Sequence, residues 1–177
     1  MTADSGTAVA IALGSNVGDR AAQIGEALRR LPEAGVAVER ASSLYESEAV
    51  GWPRDGTRPT WFLNAVCIGR TALGPRELLA ALQRLEETLG RTREPGLRPR
   101  PLDLDLVLYG GRIVRSRDLH VPHPRFRERP FVLLPLREIA PEWPDPVSGR
   151  TVRELADALG HPGAGVRLHG PAPSLGG

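Results

Sequence analysis

The hydrophobic pattern of the chain changes period along its length, and each change marks an element. TAVAIAL (7–13) is a short, nearly continuous apolar run followed by GSNVGD, which predicts a buried strand entering a glycine turn. From Asp19 the spacing becomes helical: Ala22, Ile24, Leu28 and Leu31 fall near one face, Asn16 or Asp19 stands at the cap, and Pro32 ends the segment. Residues 36–47 (VAVERASSLYES) mix β-branched and aromatic positions with polar ones, and WFLNAVCIGRT (61–71) is strand-like again. Between them residues 48–60, rich in Gly, Pro and charge, exceed what a tight hairpin needs, and loops of that length are often functional. Pro75 opens a second amphipathic helix with a stripe of Leu78, Leu79, Leu82, Leu85 and Leu89 and with Gly90 at its end. After a loop of Arg and Pro, LDLDLVLYG alternates as a strand closed by Gly110 and Gly111, with GRIVRS as its hairpin partner. Residues 119–143 read as loop and then a short helix interrupted by Pro135, and TVRELADALG as a final small helix.

The order β-α-β-β-α-β predicts the α+β class: a ferredoxin-like antiparallel sheet with two helices on one face, plus a C-terminal helical extension. At 177 residues a single domain is expected over 1–160, with 161–177 a disordered tail. No window approaches 18 consecutive apolar residues, and the first ten residues lack the pattern of a signal, so a cytoplasmic protein without a membrane partner is expected. The single cysteine, Cys67, lies among apolar neighbours, which excludes a disulfide framework and a cysteine metal cluster.

Charge sharpens this picture. All 23 basic residues are arginine, so a P-loop lysine, a Schiff-base lysine and a kinase-type strand lysine are all excluded. Residues 91–137 carry 11 arginines against five acids, a balance of +6, whereas the remainder carries −4. A local positive field of this kind suits a polyanionic ligand, nucleotide or nucleic acid.

Within LDLDLVLYG the strand period places Leu102, Leu104, Leu106 and Leu108 in the core and projects Asp103 and Asp105 together from the other face, about 7 Å apart. Two neighbouring carboxylates repel unless a cation sits with them, and a hard divalent ion such as magnesium is the usual answer; a solvated face paired with arginines is the plainer one. Arg91, Arg93, Arg98 and Arg100 precede that strand. Guanidinium forks and metal-binding carboxylates converging on one place would suit a polyphosphate and phosphoryl transfer without a P-loop.

With these motifs in order, the chain resembles the 6-hydroxymethyl-7,8-dihydropterin pyrophosphokinase family of the folate pathway. The resemblance runs through ALGSNVGDR (12–20), SSLYESEAVG (42–51), FLNAV (62–66), LQRLEETLGRTR (82–93), RPRPLDLDLVLYG (98–110) and VPHPRFRERPFVLLPLREIAPE (121–142). It implies transfer of pyrophosphate from ATP to the pterin hydroxymethyl group with release of AMP, and two magnesium ions on Asp103 and Asp105. It assigns Arg91 and Arg100 to the migrating charge, and Gln83, Glu86, Arg93, His123 and Arg129 to ATP. It assigns Phe62 and Phe131 to stacking on the pterin, Asn64 to the edge of the ring, and Ser47 and Val50 to further ring contacts. Here Gly96 and Leu97 replace the basic residue and tryptophan common in that family, Pro101 replaces threonine and Ala49 replaces proline, which bears on loop closure more than on the reaction. A ferredoxin-like nucleic-acid-binding module and another D-x-D metal-dependent transferase are the alternatives, and the aromatic content of 5% argues against the first. Both monomer and homodimer fit the sequence.

Overall fold

The computed structural model describes residues 6–48, 61–90, 101–160 and 165–175. Its elements are β1 (Thr7–Ser15), α1 (Arg20–Arg30), β2 (Val36–Ala41), β3 (Leu44–Glu48), β4 (Trp61–Thr71), α2 (Pro75–Thr88), β5 (Asp103–Tyr109), β6 (Val114–Arg115), β7 (His120–Val121), α3 (Pro130–Ile139), α4 (Val152–Ala158) and β8 (Val166–Gly170). Among the described residues, β5-β1-β4-β3-β8 form one antiparallel sheet in that order, and β2 also pairs with β4. The mixed α+β architecture is the one the sequence pattern predicts.

Alternation of side chains gives this sheet two apolar faces. Val9, Ile11 and Leu13 of β1, with Leu63, Ala65 and Cys67 of β4, pack under α1 and α2 against Ile24, Leu28, Leu78 and Leu82. On the opposite face Ala10, Val66, Val107 and Leu108 meet Val132, Leu133 and Leu136 of α3 and Val152 and Leu155 of α4. The helical extension therefore covers one half of the second face. The other half, where β1 ends and β4 and β5 begin, carries Gly14, Phe62, Asn64, Asp103 and Asp105.

β5 changes phase to serve both layers. Ala10 pairs with Leu108 and Ile11 with Leu106, so Val107 is an extra residue without a partner on β1. This β-bulge moves Leu108 to the face under α3 and α4, whereas Leu102, Leu104 and Leu106 pack with α1 and α2. The sequence expectation of four leucines in one core is corrected at Leu108 for that reason.

Other expectations meet local physics. Asp19 is the cap of α1, accepting from the Ala22 N–H at 3.0 Å. Ala22 is exposed and Ala27 is buried in its place, because Ile24, Ala27, Leu28 and Leu31 make the inward stripe. Pro32 lies within a 3-10 turn over Leu31–Ala34 that Gly35 closes at φ 78°, a conformation that favours glycine. Segment 36–47 divides into β2 and β3, and at the corner Ser42 exchanges hydrogen bonds with Val66 at 2.8 and 2.9 Å. GRIVRS does not pair with β5. The turn in which Ser116 N–H donates to the Leu119 carbonyl at 2.9 Å folds β6 onto β7 instead. Pro135 does not interrupt α3, whose burial of Val132, Leu133, Leu136 and Ile139 offsets the hydrogen bond that proline cannot donate. Where a disordered tail was expected, Val166–Gly170 form β8 against β3.

Candidate functional site

The open half of the second sheet face is built by pairing register. Asp103 pairs with Gly14, Gly14 with Asn64, and Asn64 with Tyr45, which makes one row across β5, β1, β4 and β3. Directly paired residues share a face, so Asp103 and Asn64 look the same way from two strands apart, about 10 Å at ordinary strand spacing. Asp105 pairs with Ala12 in the next row and Phe62 pairs with Ser47 at the end of the sheet. The shared face expected for Asp103 and Asp105 is thus present. Asp103 is half-buried and Asp105 exposed.

Gly14 was read as part of the turn, but it belongs to β1. A Cβ there would stand 3.6 Å from Asn64 Oδ1 and 3.8 Å from Phe62 Cδ1, so its absence keeps the floor between the carboxylates and the amide low. The sequence offered only that this glycine directly follows the apolar run 7–13; that the next residue, Ser15, is fully buried is visible in the structure alone.

Asn64 is buried, and its Nδ2 donates to the Tyr45 carbonyl at 3.3 Å and to Ser47 Oγ at 2.9 Å. Both amide hydrogens thereby hold the side chain in one orientation, and Oδ1 is the atom that can accept from a ligand. Ser47 is also buried, so its role in the structure is to fix Asn64. Phe62 and Phe131 are only partly buried, which separates them from the fully packed core aromatic Phe126.

The segment between β7 and α3 brings cationic groups to Asp105. The His123 N–H donates to the carbonyl of the bulged Val107 at 2.9 Å, and the Arg125 N–H donates to His123 Nδ1 at 3.3 Å. With Nδ1 accepting, the neutral imidazole carries its proton on Nε2, a donor suited to an anionic oxygen. Burial lowers the His123 pKa, Asp105 opposes this, and Arg129 and Arg125 add to the lowering. Arg129 is the N-cap residue just before α3, and its guanidinium lies 5.7 Å from the Phe131 ring centre. Burial lowers its pKa first, Asp105 counters, and Arg125 adds to the decrease, while the guanidinium stays cationic. His123, Arg129 and Asp105 therefore sit within one electrostatic neighbourhood.

On α2, Glu86 is buried and Gln83 half-buried one turn before it. Glu86 Oε1 accepts from the Leu104 N–H at 2.6 Å, so it grips β5 between the two aspartates. Val50, Arg91, Arg93 and Arg100 lie outside the described residues, as do Ala49, Gly96, Leu97 and Arg98. A separate groove of about 420 Å³, lined by Tyr45, Leu134, Arg137, Glu138, Val166 and Leu168, contains none of the candidate residues.

The donor set fits a hard divalent ion. Among the described residues no cluster of three or more His, Cys, Asp or Glu could enclose a metal, and the pair Asp103 and Asp105 offers carboxylate oxygen alone. Magnesium is commonly held in this way, by one or two carboxylates with substrate phosphates and water completing its shell. Among the described residues no helix is long and apolar enough to cross a membrane.

Known proteins resemble this chain as follows. The family model described as 7,8-dihydro-6-hydroxymethylpterin-pyrophosphokinase (HPPK) matches residues 10–141. The 2-amino-4-hydroxy-6-hydroxymethyldihydropteridine pyrophosphokinase of Synechocystis is 42% identical over 150 residues, 84% of this chain and 74% of that one. The Bacillus subtilis protein of the same name is 45% identical over 130 residues, covering 73% of this chain and 75% of its own. The mitochondrial folate synthesis bifunctional protein of Pisum sativum is 49% identical over 131 residues, 74% of this chain but only 25% of that protein, so the chain spans about a quarter of that bifunctional relative. In fold, it superposes on the crystal structure of wild-type Plasmodium falciparum HPPK-DHPS with a TM-score of 0.67 at 15% identity, over 89% of this chain and 45% of that one.

Proposed function

Since the chain belongs to the 7,8-dihydro-6-hydroxymethylpterin-pyrophosphokinase family, and is a diphosphokinase of folate synthesis with ATP as cosubstrate, we propose that it pyrophosphorylates the hydroxymethyl oxygen of 6-hydroxymethyl-7,8-dihydropterin. The oxygen attacks the β-phosphorus of ATP, the bond from that phosphorus to the oxygen bridging to the α-phosphate breaks, AMP departs with that oxygen, and the hydroxyl proton is released.

One observation carries this reading: Asp103 and Asp105 share a sheet face with Asn64 and Phe62, two strands away, with Gly14 alone between Asp103 and Asn64 in their row. That spacing of about 10 Å suits a flat ring at one end and a polyphosphate at the other. Asn64 Oδ1 accepts from the amino-pyrimidinone edge of the ring while Phe62 and Phe131 stack on its faces, with Ser47 and Val50 beside it. Asp103 and Asp105 would hold two magnesium ions. Bound there, the ions would supply charge neutralisation for the phosphate oxygens. His123 and Arg129 donate to phosphate oxygens beside Asp105, Gln83, Glu86 and Arg93 hold the nucleotide, and Arg91 and Arg100 stabilise the transferring group.

The test is AMP formation on mixing the protein with ATP, magnesium and the pterin. Magnesium-dependent AMP release is expected, and Asp105→Asn should reduce kcat/KM by at least about a hundredfold, the usual consequence of removing a group that stabilises transferring charge. A folded protein that releases pyrophosphate or a nucleoside diphosphate instead, or no AMP at all, sinks the proposal.

A further inference from the structure

We infer that the ion pair between Arg127 and Asp145 is a positioning device for the nucleotide side of the site, holding His123 and Arg129 where phosphate oxygens meet them. The inference rests on the nucleotide reading of those two residues given above.

Arg127 lies between His123 and Arg129 in the chain. Its Nε and one terminal nitrogen donate to the two oxygens of Asp145 at 2.7 and 2.6 Å, the fork geometry that fixes direction as well as distance. Asp145 has no exposed surface. Its carboxylate also accepts from the N–H of Val147, the N–H of Ser148 and Ser148 Oγ at 3.2, 3.2 and 2.6 Å, and its backbone exchanges bonds with Gly149 and Arg150 at 2.8 Å. The acceptor is therefore part of a rigid turn ahead of α4, and Arg127 is tied to the helical extension.

The same guanidinium stacks 4.7 Å from the ring centre of Phe126, which is fully buried. Phe126 links the two functional residues through its backbone: its N–H donates to the His123 carbonyl at 3.2 Å, and its carbonyl accepts from the Arg129 N–H at 3.3 Å. A shift of Arg127 moves this hub and displaces both. The pterin side meets this segment only where the Arg129 guanidinium lies 5.7 Å from the Phe131 ring centre, and its own anchors are elsewhere. Phe131 belongs to α3, which Val132, Leu133 and Leu136 anchor directly in the core, and Phe62 and Asn64 belong to β4.

The distinguishing experiment measures affinity for a non-hydrolysable ATP analogue with magnesium by calorimetry, alongside the KM for pterin at saturating ATP and the melting temperature. Arg127→Met and Asp145→Asn should each weaken analogue binding by about tenfold, the loss of a well-formed charged hydrogen-bond pair, while the pterin KM stays within about twofold. Arg127→Lys, which keeps the cation and loses the fork, should fall between them and wild type. Analogue affinity within about twofold of wild type despite a lowered melting temperature would show a merely structural pair and overturn the inference. So would a pterin KM that rises in step with the analogue dissociation constant. If Asp145→Asn does not fold, Arg127→Lys decides by the same readings. Wild-type protein that binds the analogue normally yet releases no AMP overturns the proposed reaction and leaves this inference standing.

Discussion

Asn64 and Asp145 are both buried polar side chains whose partners fix them, and only one of them could be recognised beforehand. An amide between Leu63 and Ala65 in a strand-like run requires hydrogen-bond partners, so Asn64 stood out from its neighbours alone. Its donors prove to be committed to Tyr45 and Ser47, which no spacing reveals, because both partners lie on another strand. Asp145 gave no such signal, since PDPVSG reads as an ordinary turn and its cation is 18 residues away. Burial raises its pKa, but the Arg127 fork, Ser148 and the Val147 N–H together hold it down at about 2 against an ordinary 3.8. A carboxylate depressed in the folded state adds stability above its unfolded pKa and loses it as pH falls through the folded value. The contribution, of the order of 2 kcal/mol, should therefore be intact above about pH 4 and vanish towards pH 2. Urea unfolding between pH 5 and pH 2 should show wild type converging on Asp145→Asn over that window; a constant difference would refute the assignment.

Among the elements, those with a strong repeat were legible and those held by distant partners were not. The two helices under the sheet follow their leucine stripes, and β1, β4 and β5 follow their apolar runs. β8 has no such pattern: VRLHG holds two apolar residues, and Leu168 is 65% exposed. It forms because its backbone pairs with β3 and because Arg167 donates to Glu46 at 2.8 and 3.0 Å while its guanidinium stacks 4.8 Å from the Trp61 ring centre. Glu46 is buried and also accepts from Arg20 at 2.7 Å, so β8, β3 and the start of α1 share one carboxylate, which its arginines, Arg20 foremost, hold below the usual carboxylate range. Ending the chain after Gly165 should lower the melting temperature by about 5 °C, corresponding to roughly 1–2 kcal/mol in a chain of this length. Because Ser47 pairs with Val166, the pterin KM should rise as well. A truncated protein with unchanged melting and kinetics would show that β8 contributes nothing to either.

Taken together, the layers explain why the candidate site residues gather on one half of one face. Apolar periodicity predicted the sheet and the helices below it, and α3 and α4 then supply the second apolar layer that leaves only the strand ends open. That division was hidden in the sequence because LDLDLVLY looks like one alternating strand. The extra residue at Val107 lets it serve two cores and present two carboxylates.

That bulge has a kinetic consequence. Val107 has no partner on β1 and its carbonyl holds the His123 N–H, so a loop amide is bonded to the edge strand of the sheet. In native-state hydrogen exchange the His123 amide should open with β5, within about tenfold of the Leu106 amide. The Arg125 amide, which donates only to an imidazole at 3.3 Å, should exchange on the far faster timescale of surface loops. If His123 exchanges as fast as Arg125, the loop is not fastened to the strand. If it exchanges slowly, the backbone that carries the His123 imidazole is fixed by the fold before any ligand binds.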